Sequence, residues 1–400
     1  MELQINSGAG KIVEQLEKAG YEAYVVGGCV RDALMGIQPK DWDITTSARP
    51  EQVKAIFPKT FDTGIEHGTV SVWDGHEVYE VTTYRVDGAY TDHRRPDHVA
   101  FTSQLYEDLA RRDFTINAMA YHPTRGLIDY FQGQQDLKAG IIRCVGDPKE
   151  RLEEDALRML RAIRFAARLQ FRIESSTFKA IQEKAAGLFH VSRERVADEL
   201  NKTLLSQHPF GLRQIVEAGL YPWICQEFCR QSEPQADFAA PAAVSAEKSL
   251  RWAALLHPMG SQTAGKVLKE LKFDNATQRD TVRFLQFLPA ALPQDGRSMR
   301  HFLHELGAEY FPGLCELKIA AKQQTEEEIA PVWTIFEAER YQCVTLRQLA
   351  VDGRDLIGAG AQTGKKLGDA LNHLLKVVLD QPEMNERERL LAYFRENWKA

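Results

Sequence analysis

YEAYVVGGCVRDALMGIQPKDWDITT, residues 21–46, is the stretch of sequence that decides the fold of the N-terminal region. Its apolar start (21–26) predicts a buried strand that ends at two glycines, and the segment after the glycines predicts a helix. The last five residues, WDITT (42–46), predict a second strand. A strand, a tight glycine turn, a helix and another strand indicate a domain of mixed α+β type.

Two aspartates stand one residue apart at the start of the second predicted strand. Because side chains alternate along a strand, Asp41 and Asp43 point to one side and Trp42 to the other. Two carboxylates held so close repel each other, so the pKa of one should rise unless a cation lies between them. The pair therefore predicts a metal site, and the alternative is a solvated loop with scattered acids.

The remaining sequence divides into a short strand-rich head and a long helical remainder. Residues 68–85 predict a hairpin through an Asp-Gly turn, and residues 88–101 predict a charged loop. Strand signals fade after about residue 145, and amphipathic helices are predicted at 152–169, 175–189 and 192–205. Helices then continue to the C-terminus, with a glycine-rich break at 351–368.

The composition excludes several classes of protein. A net charge of -6 rules out a uniformly basic surface, although a local basic groove for nucleic acid remains compatible with it. Six cysteines spread over 400 residues do not form a disulfide framework, so we expect all of them to be reduced. No apolar run approaches the ~20 residues that a bilayer span needs, and the N-terminus lacks a signal pattern. We therefore expect a cytoplasmic protein that does not enter a membrane.

The glycine turn has the composition of a phosphate-binding site. Gly28 would let a phosphate approach the N–H groups at the start of a helix, and Arg31 could add a charge-assisted hydrogen bond. The turn lacks the GxGxxG fingerprint of dinucleotide-binding folds, and an ordinary strand-to-helix turn would look the same. A phosphate-binding turn followed by two aspartates on one side of a strand is nevertheless what a magnesium-dependent nucleotide transferase requires.

Two further stretches carry clustered arginines. ARRDFTINAMAY (110–121) places Arg111 and Arg112 beside an aspartate, and a surface ion pair is the alternative there. EEDALRMLRAIRF (153–165) contains four charged residues that follow one another at intervals of three positions. They lie next to an apolar stripe on the same predicted helix. These four are Asp155, Arg158, Arg161 and Arg164. A solvated helix face with an i,i+3 ion pair is the alternative for this second stretch.

Taken in order, the motifs GGxVRD, DxD, RRDFTxNAMA, EDxxR and SxERxxxEL resemble those of class II tRNA nucleotidyltransferases. These are the CCA-adding enzymes of the polymerase β superfamily, to which bacterial poly(A) polymerases are related. The motifs stand at residues 27–32, 41–43, 111–120, 154–158 and 192–200. The second half of the chain is similar only in its helical character, its length and its VDGRDLIG segment.

The resemblance implies a fold and a division into domains. The fold class is α+β in an N-terminal polymerase-β-like nucleotidyltransferase head, followed by an elongated all-α neck, body and tail. We expect a head at 1–145, a neck at 146–205, a body at 206–335 and a tail at 336–400. Relatives of this length also suggest a homodimer.

The resemblance also implies the roles of individual residues. Asp41 and Asp43 would be catalytic and would bind Mg²⁺. The residues implied to bind ATP and CTP are Gly28, Arg31, Arg112, Asp155, Arg158, Arg161 and Arg164. Glu80 is a third acid on a strand predicted to follow the DxD strand, but a surface acid is the simpler interpretation and it is left out of this set.

The chemistry of the bases supports a reading role for Asp155 and Arg158. Cytosine and adenine both present an amino donor beside a ring-nitrogen acceptor, so a carboxylate can accept from the first and a guanidinium can donate to the second. Guanine and uracil present a carbonyl and a ring N–H instead. An Asp–Arg pair can therefore admit CTP and ATP and reject GTP and UTP.

The implied activity is template-independent addition of the 3′-terminal CCA to tRNA from CTP and ATP. An RNA 3′ hydroxyl would attack the α-phosphate and release pyrophosphate, while the loop at 88–101 would switch the pocket from C to A. Lys365 and Lys366, at a predicted helix start in the glycine-rich break, would contact the tRNA backbone. The alternatives are a poly(A) polymerase, an enzyme adding only CC or A, a small-molecule nucleotidyltransferase and a catalytically silent RNA-binding module.

Overall fold

The computed structural model describes residues 3–88, 99–229 and 236–398. The chain forms two compact units, the first of Met1–Pro234 with Lys269–Phe273 and the second of Gln235–Leu268 with Asp274–Ala400. The first unit contains both the predicted head and the predicted neck. The finer division into four domains stays a prediction.

The strands of the described residues lie in the first 173 positions of the chain. They are β1 (Ala23–Val26), β2 (Asp43–Thr46), β3 (Thr60–Gly64), β4 (Thr69–Trp73), β5 (Val78–Thr83), β6 (Arg85–Asp87), β7 (Val99–Phe101), β8 (Ala120–His122), β9 (Gly126–Ile128), β10 (Ile141–Ile142) and β11 (Arg172–Ile173). This confirms a strand-rich head followed by a helical remainder.

A seven-stranded mixed sheet forms the centre of the head, in the order β3-β4-β5-β2-β1-β8-β9. β2 and β5 are parallel, and the other neighbours in this sheet are antiparallel. The predicted hairpin at 68–85 is confirmed as β4 and β5, which pair from Thr69↔Thr82 to Trp73↔Val78. The parallel register of β2 and β5 sets Asp43 opposite Glu80.

The hydrophobic core of the head fixes which way the two aspartates point. Trp42 is 9% exposed and packs in the core with Ile44 and with apolar residues of the neighbouring strands. Asp41 and Asp43, on either side of it, are exposed. The predicted alternation is confirmed, although β2 begins at Asp43 and Asp41 therefore lies just before the strand.

Two small sheets complete the strand pairing. β6 and β7 pair antiparallel, so the C-terminal end of the loop predicted at 88–101 is a strand, and residues 89–98 of that loop lie outside the described residues. β10 and β11 pair in parallel.

Helices make up most of the rest of the chain, joined by short 3₁₀ turns. Up to residue 229 they are α1 (Ser7–Lys18), α2 (Gly28–Leu34), α3 (Pro50–Ile56), α4 (Leu105–Ala110), α5 (Gly133–Ala139), α6 (Pro148–Glu154), α7 (Leu157–Leu169), α8 (Ser175–Lys184), α9 (Arg193–Leu204), α10 (Gln214–Glu217), α11 (Tyr221–Ile224) and α12 (Gln226–Cys229). From residue 236 onward they are α13 (Lys248–Leu256), α14 (Gly260–Glu270), α15 (Asn275–Phe287), α16 (Gly296–Leu306), α17 (Phe311–Ala320), α18 (Glu326–Glu339), α19 (Gly353–Gly358), α20 (Lys365–Asp380) and α21 (Arg387–Asn397). None of the helices in the described residues combines the length and apolar character that a bilayer crossing requires.

The single helix predicted at 152–169 is wrong, because the structure breaks it at Asp155. α6 ends at Glu154, Asp155 has extended backbone (φ -140°, ψ 102°), and α7 begins at Leu157. The Asp155 carboxylate accepts a hydrogen bond of 3.0 Å from the Leu157 N–H, which is the local side-chain contact that competes with a continuous helix. Asp155 therefore precedes the helix that carries the three arginines.

Other local predictions are confirmed. α9 begins one residue after Ser192, which stands at the N-cap position but makes no side-chain capping bond. α20 begins at Lys365 after Gly364 (φ 83°), as the glycine-rich break indicates. Among the described side chains, the free and buried cysteines are Cys29, Cys144, Cys225, Cys315 and Cys343.

The turn between β1 and α2 requires glycine at its first position. Gly27 has φ 82°, in the left-handed region, and a Cβ built there would lie 2.9 Å from the Arg112 Nη1 atom. A side chain at this position would therefore strain the backbone and displace that guanidinium.

We expect Gly27→Ala to lower the free energy of unfolding by about 1–2 kcal/mol through backbone strain, and also to weaken nucleotide binding by moving Arg112. Thermal unfolding and nucleotide titration would measure the two effects. Gly36→Ala is the matched control, since Gly36 also has positive φ (72°) but a Cβ there meets nothing within 4 Å. The control should lose stability alone; equal loss of nucleotide binding in both variants would contradict the contact with Arg112.

Candidate active site

A cavity of about 780 Å³ in the first unit brings together distant parts of the sequence. All nine residues that the sequence and its family resemblance predict for the site line it. They are Gly28, Arg31, Asp41, Asp43, Arg112, Asp155, Arg158, Arg161 and Arg164. Residues from β2, the glycine turn, the RRDFTIN segment and α7 therefore share one space.

The acidic side of this cavity is formed by Asp41 and Asp43. The Asp43 side chain is exposed at the cavity, but the surrounding protein still removes enough water to raise the pKa of its carboxyl group. The cation of Arg112 opposes the rise, whereas the negative charges of Glu80 and Asp41 add to it. The rise that the close aspartates predict is thus present, with burial as its largest cause.

Asp41 and Asp43 could supply two of the ligands that a metal ion needs. Within residues 3–88, 99–229 and 236–398, no group of three or more histidine, cysteine or acidic side chains is arranged to hold a metal ion. Asp41 and Asp43 offer two carboxylates, and Mg²⁺ is usually held by one or two carboxylates together with water and the phosphates of a substrate. The residues present fit an ion that arrives with a nucleotide.

Arg31 is a buried cation at the wall of the cavity. Its Nη1 donates to the Asn117 Oδ1 at 2.6 Å and its Nε donates to the Asp32 Oδ1 at 2.8 Å. Its guanidinium carbon also lies 5.1 Å from the centre of the Phe165 ring. These contacts fix the guanidinium in place at 3% residue exposure.

Arg112 is oriented by a buried acid. Its Nη2 lies 3.3 Å from the Asp108 Oδ2, while Arg111 donates to the Asp108 Oδ1 at 3.0 and 2.7 Å. Burial alone would raise the pKa of Asp108, but the two arginines outweigh it and hold that pKa below its ordinary value. Asp108 thus stays ionised and supports both guanidinium groups.

Arg161 and Arg164 project from α7 onto two buried carboxylates. Arg161 donates to the Asp113 Oδ2 at 2.8 and 2.6 Å, and Arg164 donates to the Glu199 Oε2 at 2.5 Å. Both guanidinium carbons also lie near the Phe165 ring, at 5.5 and 4.1 Å from its centre. Burial would raise the pKa of Asp113, but Arg161 and a hydrogen bond from Asn117 bring it down to about 2.

Asp155 and Arg158 are held by different partners. The Asp155 Oδ2 accepts from the Arg195 Nη2 at 2.7 Å, and its Oδ1 accepts from the Leu157 N–H. Arg158 donates through Nη1 to the Glu154 carboxylate at 2.5 Å and to the Arg151 carbonyl at 2.8 Å. The two side chains lie at the same cavity, but Asp155 reaches it from the break before α7 and not from a stripe along the helix.

The cavity contains charged and polar residues that the sequence analysis did not assign to the site. They are Arg111, Asp113, Asn117, Arg168, Arg195 and Lys202. Asn117 and Arg195 lie in the motifs RRDFTIN and SxERxxxEL, so their positions in those motifs were the available signal. Lys202 had no such signal, because only the packing of α9 beside α7 brings it to the cavity.

A second cavity of about 540 Å³ shares its basic side chains with the first. Arg164, Arg168 and Lys202 line both cavities. The second is completed by Leu205, Ser206 and Gln207, which follow α9. The cationic wall therefore extends beyond the space beside the two aspartates.

Three family models match successive parts of the chain. The one described as the poly A polymerase head domain matches residues 23–143. The one described as an RNA and SrmB binding site of polymerase A matches residues 170–231. The one described as domain 2 of tRNA nucleotidyltransferase matches residues 245–394.

The chain is similar over nearly its whole length to CCA-adding enzymes. The CCA-adding enzyme of Lacticaseibacillus paracasei is 39% identical over 95% of this chain and 94% of its own length. That of Streptococcus pneumoniae is 37% identical over 96% of both chains. The structure of the Bacillus stearothermophilus CCA-adding enzyme in complex with CTP matches with a TM-score of 0.82 and 33% identity, covering 98% of both chains. The Thermotoga maritima enzyme complexed with tRNA matches in fold, with a TM-score of 0.65 and 22% identity over 96% of this chain and 94% of its own.

We expect Asp113→Asn to destabilise the first unit by about 2 kcal/mol, because Arg161 would lose its charged partner. This figure is reduced from the usual cost of a broken buried pair, since the Arg161 side chain is 34% exposed to screening solvent. Thermal unfolding would measure the loss against Asp62→Asn, which removes the exposed partner of Lys54.

The loss should also depend on pH in a defined direction. A carboxyl whose pKa is lowered to about 2 stabilises the fold fully above the unfolded-state pKa of about 3.9, and this contribution disappears as the pH falls toward 2. The difference between wild type and Asp113→Asn should therefore be greatest near neutral pH and shrink in acid. A difference that does not change with pH would mean that the charge of Asp113 contributes nothing.

Proposed function

Because the chain belongs to the family of CCA-adding enzymes, which are nucleotidyltransferases, we propose that it adds C, C and A to the 3′ end of tRNA from CTP and ATP. The addition needs no nucleic-acid template. The observation that carries the proposal is the cavity that joins the acidic pair of β2 to the arginines of α7 and to Asp155. The proposal includes a cytoplasmic location, where tRNA and nucleoside triphosphates are found, and a homodimer.

Enzymes of this family use divalent metal ions, and we propose Mg²⁺ as the ion and Asp41 and Asp43 as its ligands. Desolvation is the largest cause of the raised pKa of Asp43, and the negative charges of Glu80 and Asp41 add to it, so a bound cation would be favoured there. When bound there, Mg²⁺ would neutralise the triphosphate and lower the pKa of the attacking RNA hydroxyl.

The cations nearest the glycine turn are suited to hold the triphosphate. The guanidinium groups of Arg31 and Arg112 are already oriented by Asn117 and Asp108, and Gly28 leaves the turn without a side chain. Charge-assisted hydrogen bonds from fixed guanidinium groups orient a phosphate with little loss of side-chain freedom. We assign these three residues to the phosphates and sugar of the bound nucleotide.

Asp155 and Arg158 are assigned to the base. An oxygen of Asp155 would accept from the exocyclic amino group of cytosine or adenine, and Arg158 would donate to the adjacent ring nitrogen. GTP and UTP would place a carbonyl against the carboxylate and an N–H against the guanidinium, and each unmatched contact costs about 1–3 kcal/mol. Arg161 and Arg164 line the same pocket, held by their own acidic partners.

The RNA substrate is proposed to use the basic surfaces beyond this pocket. The second cavity, with Arg168 and Lys202 at its wall, continues from the nucleotide site and would receive the 3′-terminal nucleotides. In the second unit, Lys365 and Lys366 are exposed at the start of α20 and are proposed to contact the tRNA backbone. The nucleotide switch proposed for the loop at 88–101 concerns residues that lie mostly outside the described ones.

The other activities considered from the sequence are not favoured. The relatives reported above, which match nearly the whole chain, are named CCA-adding enzymes, although the head also matches the poly A polymerase head domain. A catalytically silent module would not be expected to keep both aspartates and the arginines in one cavity.

The test is to incubate the protein with tRNA that lacks its terminus and with each labelled NTP singly and in combination. We expect addition of C, C and then one A, with no product from GTP or UTP, resolved nucleotide by nucleotide on a gel. Long A tails would instead indicate a poly(A) polymerase, and no product with any NTP would indicate an RNA-binding module.

Asp43→Asn should abolish nucleotide incorporation, by at least about a thousandfold, and leave tRNA binding within about twofold of wild type. Incorporation measures the first effect and a filter-binding titration the second. Asp62→Asn, an exposed aspartate on the edge strand β3, is the matched control and should keep full activity. Loss of tRNA binding in Asp43→Asn would show that this residue maintains structure and would oppose its assignment as a metal ligand.

A further inference from the structure

Arg195 makes a contact that connects a second helix to the proposed base-reading residue. It stands in the first turns of α9, and its Nη2 donates to the Asp155 Oδ2 at 2.7 Å. The two side chains are 26% and 15% exposed, so the pair lies largely out of solvent at the wall of the cavity. None of the roles assigned so far uses this arginine.

The environment of Asp155 explains why its carboxylate needs such a partner. Asp155 has extended backbone between α6 and α7, so helical geometry does not set the direction of its side chain. Its orientation depends on the Leu157 N–H at one oxygen and on Arg195 at the other. A carboxylate oxygen has two lone pairs, so the oxygen that accepts from Arg195 can still accept from the amino group of a base.

Arg195 also has an unused donor. Its Nη1 is buried and has no hydrogen-bond partner among the residues that the structure describes. Buried donors are almost always paired in folded proteins, so an unpaired donor at a cavity wall indicates that a ligand in the cavity supplies its acceptor. An incoming nucleotide is the group that the proposed function brings to this wall.

We propose that Arg195 is a positioning residue for base selection, which holds the Asp155 carboxylate directed at the amino group of cytosine or adenine. The inference rests on the proposed base-reading role of Asp155 and adds the residue that makes that role possible. Without Arg195, the carboxylate would rotate about its side-chain bonds and lose its preference for an amino donor. The chemical step would continue, since Arg195 touches neither the acidic pair nor an assigned phosphate ligand.

A purely structural role gives a different expectation. If Arg195 only tied α9 to the segment before α7, its loss would lower the rates with all nucleotides in the same proportion. The preference for a nucleotide that carries the amino group over one that lacks it would then be unchanged. This preference is the quantity to measure.

The experiment compares ATP with purine riboside triphosphate, which lacks the 6-amino group, and CTP with its analogue lacking the 4-amino group. The kcat/KM ratio of each pair is measured with the full-length wild type, Arg195→Met and Arg195→Lys. Wild type should prefer the amino-bearing nucleotide by about tenfold or more, which is the usual effect of leaving a buried acceptor unmatched. Arg195→Met should bring the ratio to within about twofold of one, and Arg195→Lys should restore part of it because an ammonium group can still pair with Asp155.

Arg168→Met is the matched control. Arg168 lines the same cavity, but its ion pair is with Asp32 at 3.5 Å, so its loss should keep the wild-type ratio even where it lowers overall activity. An unchanged ratio in both Arg195 variants would overturn the inference, and so would an equal fall in the ratio for Arg168→Met. If Arg195→Met does not fold, a ratio in Arg195→Lys that falls between one and the wild-type value supports the inference, and an unchanged ratio overturns it.

The outcomes also separate this inference from the proposed function. Wild type that adds C, C and A while the Arg195 variants keep its ratio would reject the positioning role alone. Wild type that adds C, C and A but does not discriminate against the amino-free analogues would reject base reading by Asp155, and the role of Arg195 with it. Wild type that does not add C, C and A would reject the proposed function itself.

Discussion

The ion pair between Asp113 and Arg161 is the interaction on which the site depends. It joins the RRDFTIN segment of the head to α7, and its two N–H···O contacts of 2.8 and 2.6 Å hold a carboxylate whose pKa is lowered to about 2. A buried charge is unfavourable unless it is paired, so this contact restricts how the helix can lie against the sheet. The same geometry brings the arginines of α7 opposite the aspartates of β2, and a shift of the helix would separate the two halves of the cavity.

The cavity keeps its cations in place by pairing them with acidic or polar side chains, some of which hold two cations. Arg31 is held by Asn117 and Asp32, and Arg164 by Glu199, while Phe165 packs against three of the guanidinium groups. A set of arginines with a common sign would otherwise repel one another and move apart. The partners reduce this repulsion and fix the donors before a substrate binds, so little conformational freedom remains to be lost on binding. Asp41 and Asp43 differ, because their neighbourhood leaves negative charge that a cation can balance.

Most of the fold of the head could be predicted from local sequence, whereas the residues of the site came from the resemblance to a known family. Alternation in DWDITT predicted that Trp42 points to the opposite side from the two aspartates, and the glycine pair predicted the strand-to-helix turn, because these features depend on near neighbours in the chain. The helix at 152–169 was predicted without a break, since every residue there except Asp155 is compatible with a helix and the competing side-chain bond is not visible in a periodic pattern. Lys202 was missed for another reason: it reaches the cavity through the packing of two helices that are distant in sequence, and no local rule encodes that contact.

The break before α7 has a physical consequence for how the site reads its ligand. A residue inside a helix has its side-chain direction set by the helix, whereas Asp155, in extended backbone, takes its direction from the groups that bind it. This freedom lets the carboxylate approach the cavity from a different angle than Arg158, which stands in the first turn of α7. The same freedom makes the carboxylate dependent on a partner from elsewhere in the fold, and α9 supplies that partner as Arg195. A helix break in a motif can therefore indicate that residues outside the motif determine its selectivity.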